Sequence, residues 1–248
     1  MFACEKRGLF RWNTFVAVII LLATAVTQAE PLFSENWEAY TNAVTPYGHW
    51  ILDKGGWGNI SDNGRGGGKC YFVEPHVQSR LRHKVDFSAC KDIVLQGWLF
   101  DSGTGDNHQM NRCVLGLADA ANSATVTNPL IRMGIGASGH HLTYTIVFYD
   151  HLQSKTSILV DTKLPSEKGW HFMRLEILHD RTVNYQVWNA AQTIEKKGSF
   201  GWAFDKAKFN CVIVGSGQAT PGVVGWDDIQ AGSLEQIGPP RSLPQAAP

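Results

Sequence analysis

The segment Gly169–Asn189, GWHFMRLEILHDRTVNYQVWN, alternates with a period of two residues on both sides of a short polar break. Such alternation puts successive side chains on opposite faces of a pleated strand, and the break reads as a hairpin turn. Met173, Leu175 and Ile177 share one face of the first strand; Val183, Tyr185 and Val187 share one face of the second. The other faces carry Phe172, Arg174 and Glu176, then Asn184, Gln186 and Trp188. A three-residue loop, His179 to Arg181, sets Glu176 opposite Asn184, Arg174 opposite Gln186 and Phe172 opposite Trp188. A two-residue loop would oppose polar to apolar side chains, because one step of register exchanges the faces. The hairpin is therefore expected to have a core face and a polar face bearing a tryptophan.

Similar runs recur along the chain: Leu32–Tyr40, Cys70–Glu74, Ser79–Asp86, Ile93–Asp101, Arg112–Ala118, Leu130–Gly136, Leu142–Asp150, Ser157–Asp161, Trp170–Leu178, Val183–Asn189, Thr193–Lys197, Asn210–Gly215 and Val224–Ala231. Turn clusters such as Asp62-Asn63-Gly64 and Pro221-Gly222 separate them, and no window of a dozen residues shows a helical stripe. This pattern predicts an all-β sandwich or jelly roll over residues 30–232, with no linker or repeat dividing it. The segment 233–248, SLEQIGPPRSLPQAAP, is rich in proline and small residues and reads as a flexible C-terminal tail.

Residues 1–29 read as an export signal: Lys6, Arg7 and Arg11 precede an apolar run of 13 residues, Thr14–Val26, and Thr27-Gln28-Ala29 supplies a cleavage site. That run is shorter than the roughly 20 residues a membrane span needs. The expected product is secreted, periplasmic or extracellular, with no stable membrane insertion. Cleavage takes the 22 basic and 22 acidic residues to 19 and 21, a formal charge of about −2. Nucleic acid is thereby disfavoured as a partner, since such binding needs a basic surface. Cys70, Cys90, Cys113 and Cys211 remain, an even number that in an oxidising compartment predicts two disulfides of open connectivity.

Arg174, Glu176, Asn184, Gln186 and Trp188 form a candidate ligand surface for a polysaccharide or cell-surface glycan. An indole stacks on the apolar face of a sugar ring while amides and charges bond its hydroxyls. Arg174 could alternatively pair a carboxylate sugar through two parallel hydrogen bonds. A second constellation, Arg80, Arg82, His108, Gln109, Tyr144 and Tyr149, carries the residue types of a uronate lyase, in which a basic group takes a proton and a tyrosine returns one. Tyr144 and Tyr149 differ in parity and are expected on opposite faces of a regular strand. No Gly-x-Ser-x-Gly elbow and no His-Glu-x-x-His helix occurs.

Three segments resemble the concanavalin A-like lectin/glucanase superfamily, in particular exported bacterial proteins of its laminin-G-like branch. They are the opening Leu32-Phe33-Ser34-Glu35-Asn36-Trp37-Glu38-Ala39-Tyr40, the Trp-His strand from Gly169 to Ile177, and the closing Val224-Gly225-Trp226-Asp227-Asp228-Ile229. The resemblance implies a two-sheet antiparallel jelly-roll β-sandwich whose first and last strands lie side by side. It also implies glycan binding, with or without cleavage, and a structural calcium ion. With the terminal strands paired, Glu35, Asp227 and Asp228 are the candidate Ca2+ ligands, since calcium takes six to eight oxygens. The acidic Glu-x-Asp-x-x-Glu signature of the glucanase branch is absent. The leading expectation is a secreted non-catalytic glycan-binding or surface-interaction domain. The alternatives are a polysaccharide lyase or glycoside hydrolase on the same fold, and a structural extracellular protein without a small ligand.

Overall fold

A computed structural model describes residues 29–41, 49–103, 112–119, 131–138, 141–150, 155–201, 209–216 and 222–244. Residues 1–28 of the expected export signal therefore lie outside the described residues, as do His108 and Gln109. The strands are β1 (Phe33–Glu35), β2 (Trp50–Gly55), β3 (Asn59–Ser61), β4 (Cys70–Val73), β5 (Ser79–Lys84), β6 (Ile93–Asp101), β7 (Arg112–Ala118), β8 (Ile131–Ser138), β9 (His141–Asp150), β10 (Lys155–Pro165), β11 (Gly169–Ile177), β12 (Thr182–Trp188), β13 (Glu195–Gly201), β14 (Cys211–Ser216) and β15 (Val224–Gly232). A short helix, α1 (Leu234–Ile237), follows them.

These strands make two antiparallel sheets. One runs β13-β12-β11-β6-β15-β4-β3, with β1 also pairing β15; the other runs β10-β9-β8-β7-β14-β5-β2. The chain is a two-sheet antiparallel jelly-roll sandwich, and alternation within each strand explains it. Leu95, Leu99, Met173, Leu175, Ile177, Val183 and Val187 from the first sheet, and Leu81, Leu115, Leu117, Met133, Ile146 and Val214 from the second, fill one buried cluster. Gly97 belongs to the same inward row, where a Cβ would lie 3.4 Å from Leu115 Cδ2. The terminal strands meet as the resemblance implies, Phe33 opposite Ala231 and Glu35 opposite Ile229.

The hairpin has the expected register: Arg174 lies opposite Gln186 and Glu176 opposite Asn184. Its loop closes with Arg181 at φ 68°, the left-handed residue that a three-residue hairpin loop requires. The first predicted strand is shorter than expected. It stops at Glu35 because Trp37 adopts φ 63° and inserts its indole between Trp50 and Tyr71, with ring centroids 5.2 and 5.3 Å away. Sequence patterning also missed β2 and β3. The former holds Asp53, a poor strand former, at a register shift between Leu52 and Lys54; the latter is only three residues long.

Cys70 and Cys211 are buried free thiols, so the two expected disulfides are not both formed. The Cys113 side chain is outside the description. Burial pushes the Cys211 thiol up to about 12, which makes it an inert packing group. Among the described residues no helix is long and apolar enough to cross a membrane.

Leu175 sits at 0% exposure in the centre of this core. Leu175→Ala is expected to lower the unfolding free energy by about 2–5 kcal/mol, read as a lower urea midpoint. A loss under about 1 kcal/mol would contradict its central place.

Candidate functional site

The outward face of the first sheet is organised in rows, because antiparallel pairing keeps side chains of one parity in line across strands. One row is polar: Gln230 opposite Gln96, Gln96 opposite Arg174, Arg174 opposite Gln186, and Gln186 opposite Lys197. The neighbouring row is aromatic, with Phe172 opposite Trp98. Phe172 lies 5.4 Å from Trp98 and 4.8 Å from Trp188, centroid to centroid.

The polar row is stitched together by its own side chains. Gln96 Nε2 donates to Gln230 Oε1 at 2.8 Å, and Arg174 Nη1 donates to Gln96 Oε1 at 2.7 Å. Arg174 also grips Glu176 Oε1 through Nε and Nη2, both at 2.9 Å. Glu176 Oε2 accepts from Asn184 Nδ2 at 3.0 Å. Gln186 Nε2 donates to Glu195 Oε1, and Lys197 Nζ reaches Glu195 Oε2 at 3.1 Å. Burial lowers the Arg174 pKa below its ordinary value, and the charge of Glu176 only partly offsets that shift. Burial alone would raise Glu195, but the hydrogen bonds of Gln186 and Lys197 outweigh it and hold the carboxyl below its usual range.

The C-terminal segment lies over this face. Ser233 and Gln236 form a capping box that starts α1: Ser233 Oγ accepts from Gln236 N, and Gln236 Oε1 accepts from Ser233 N. Gly238, at φ 81°, then turns the chain back over the sheet. Its carbonyl accepts from Arg174 Nη2 at 2.5 Å, and the Arg241 carbonyl accepts from Gln186 Nε2 at 2.6 Å. The Arg241 guanidinium sits 5.2 Å from the Phe172 ring centre, and Leu243 packs on the aromatic row. Between this segment and strands β11–β13 a groove of about 550 Å3 remains. Arg174, Glu176, Asn184 and Gln186 line it, joined by Glu195, Lys197 and Ser199 of β13 and by Arg241. A second cavity of about 360 Å3, lined by Gln96, Gln230 and Gln236, borders the other end of the polar row and shares Arg241.

Four of the five anticipated ligand residues thus converge on one groove. Trp188 does not: at 3% exposure under Leu243 it offers no free stacking face. The β13 residues went unnoticed because only cross-strand pairing brings them alongside. The C-terminal wall had a visible signal, the Ser-x-x-Gln box followed by glycine.

The candidate calcium ligands do not assemble. Glu35 accepts from Trp37 N at 2.8 Å, Trp50 Nε1 at 3.0 Å and Tyr40 OH at 3.3 Å. Asp227 accepts from the backbone of Arg65 and Asp228, both at 2.8 Å, and Asp228 lies 3.9 Å from Arg65 Nη1. Burial raises Asp227 to about 7, with Asp228 adding to the shift against those backbone bonds. Among the described residues no group of three or more His, Cys, Asp or Glu side chains is placed to hold a metal ion. These residues do not fit calcium, which needs six to eight converging oxygens.

The lyase constellation is likewise divided. Arg80 faces outward from the second sheet and pairs Asp53 at 2.5 Å, whereas Tyr144 points into the core toward Asp101 at 3.3 Å. His171 is buried with its ring nitrogens against the carbonyls of Trp188 and Glu167, at 3.2 and 2.9 Å. Burial lowers its pKa, and its bonds to the two carbonyls only partly offset that shift.

No protein-family model matches the chain, and no curated protein matches it in sequence. Its fold is similar to the globular domain of T. cruzi calreticulin, at 14% identity and TM-score 0.54 over 82% of this chain and 87% of that one. It is also similar to the CBM2 module of the evolved Dit of Lactobacillus casei BL23 phage J-1, at 10% identity and TM-score 0.56 over 82% and 95%. A carbohydrate esterase of the Shiga toxin-encoding bacteriophage phi24B matches at 14% identity and TM-score 0.52 over 81% and 97%. At such identities the likeness establishes the β-sandwich fold.

Asp227 supplies a pH test. A carboxyl raised in the folded state binds its proton more tightly there than in the unfolded chain, so its contribution is complete at low pH and lost as pH rises. With a shift from 3.8 to about 7, Asp227→Asn is expected to gain stability relative to the native chain across that interval and to level off above it. Chemical melts at a series of pH values read this difference; a pH-independent difference would contradict the burial argument.

Proposed function

We propose that this chain is an exported, non-catalytic domain that binds a polysaccharide or cell-surface glycan in the groove over β11–β13. The observation that carries this reading is the groove itself. Some 550 Å3 of concave space is walled by amides, carboxylates, a lysine and two arginines, groups of the kind that bond sugar hydroxyls. Export rests on the character of the first 29 residues.

The non-catalytic part rests on the state of the groove carboxylates. Glycoside hydrolysis needs one carboxyl kept protonated as an acid and a second free to act as base or nucleophile. Glu195 has both oxygens engaged and a lowered pKa, the wrong direction for an acid. Both oxygens of Glu176 are held by Arg174 and Asn184.

Asn184 tests the reading at small structural cost, since its side chain is only half-buried at the groove wall and gives the Arg174 network a single bond, to Glu176 Oε2. On a glycan array, Asn184→Ala is expected to weaken binding about five- to tenfold, the worth of one hydrogen bond, with the melting midpoint within a few degrees of the native chain. Absence of binding to any glycan would contradict the reading. New reducing ends or an unsaturated product from a polysaccharide would contradict its non-catalytic part.

A further inference from the structure

We propose that residues 238–244 act as an intramolecular stand-in for a linear glycan, occupying the polar and aromatic rows of the first sheet until an oligosaccharide displaces them. The inference rests on the glycan-binding reading and adds to it both the form of the ligand and the control of access.

The segment engages the sheet as a ligand would. Two of its carbonyls take hydrogen bonds from Arg174 Nη2 and Gln186 Nε2, its arginine lies over Phe172, and its leucine packs against the cluster of Trp98, Phe172 and Trp188. The match is incomplete. Gln186 is 5% exposed, and its Oε1 is buried with no hydrogen-bond partner. A carbonyl can only accept, and Pro239 and Pro240 have no N–H to donate. The segment therefore satisfies the donors of the row and leaves an acceptor unmet, at a cost. A sugar hydroxyl both donates and accepts, so it satisfies Gln186 Nε2 and Oε1 together.

The form of the ligand follows from the row. The two cavities flank the same line of side chains, from Gln230 to Lys197, and Arg241 belongs to both. Five strands give four spacings, about 19 Å in all at roughly 4.8 Å each. That length suits an extended chain of several sugars rather than one ring. Lifting the segment would join the cavities and bare Phe172 and Trp188 as a stacking floor, beside Trp98 under Arg65.

The test compares the full chain with a form ending at Gly238, and with Leu243→Asp in case the truncated form does not fold. Leu243→Asp puts a carboxylate on the aromatic row and should lift the segment while keeping the chain length. Circular dichroism confirms folding, acrylamide quenching of tryptophan fluorescence reports uncovering of Trp188, and titration uses the linear oligosaccharides that the full chain binds best on the array. The expected result is increased quenching and at least tenfold tighter binding, with the gain rising from disaccharide to tetrasaccharide. Unchanged quenching would overturn the proposal, because the segment would not be covering the row. Increased quenching with equal or weaker binding would also overturn it while leaving the groove reading intact. No binding by any form would remove both.

Discussion

A guanidinium held inside a sheet face is the interaction on which the rest of this molecule depends. Arg174 is 1% exposed, and a buried cation is tolerated only when its donors are met. Glu176 takes Nε and Nη2, Gln96 takes Nη1, and the carbonyl of Gly238 takes Nη2 again. Those partners come from the same strand, from a strand 78 residues earlier and from a turn 64 residues later. One side chain thus ties together the register of β6 against β11, the setting of the hairpin and the path of the C-terminal segment. A one-residue slip of β11 would carry this charge into the core, so the register is strongly specified.

The second consequence concerns the outward face. A solvated sheet face needs no aromatic row, yet Trp98, Phe172 and Trp188 stand beside the polar one and are nearly as buried as the core. The C-terminal segment and Arg65, whose guanidinium lies 3.7 Å from the Trp98 ring centre, supply their cover. The sandwich therefore has two kinds of interior: a dry one between the sheets, and a thinner mixed one between the first sheet and the segment. The groove lies along the open edge of the second kind, beside the charged strand β13, whose Lys196 and Lys197 also protect the sheet edge from pairing with another chain.

Sequence patterning reached the fold because long strands with strict alternation leave little choice. Ile93–Asp101, Arg112–Ala118 and the hairpin pairing of Arg174 with Gln186 were legible from period and loop parity alone. Strands whose side chains serve local contacts were not. In β2, Asp53 is turned toward Arg80, and Trp37 breaks its strand to fill an aromatic stack. At the candidate site, the groove walls from β11 and β12 were readable as a face of alternating polar residues. The burial of Trp188 was not, because its cover comes from Leu243, far along the chain. Two acidic residues close to each other in sequence suggested a metal site, but backbone N–H groups engage both oxygens of Asp227.

The central claim is that Arg174 is a buried cation, bonded through each of its three nitrogens, that joins the sheet to the C-terminal segment. Nitrogen-15 NMR of the arginine side chains tests it most directly. The account predicts that the Arg174 Nε–H is visible at neutral pH and exchanges slowly with water, and that the Nη2 protons show magnetisation transfer to protons of Gly238. An Arg174 Nε–H that exchanges as fast as those of surface arginines, with no transfer from Nη2 to Gly238, would contradict it.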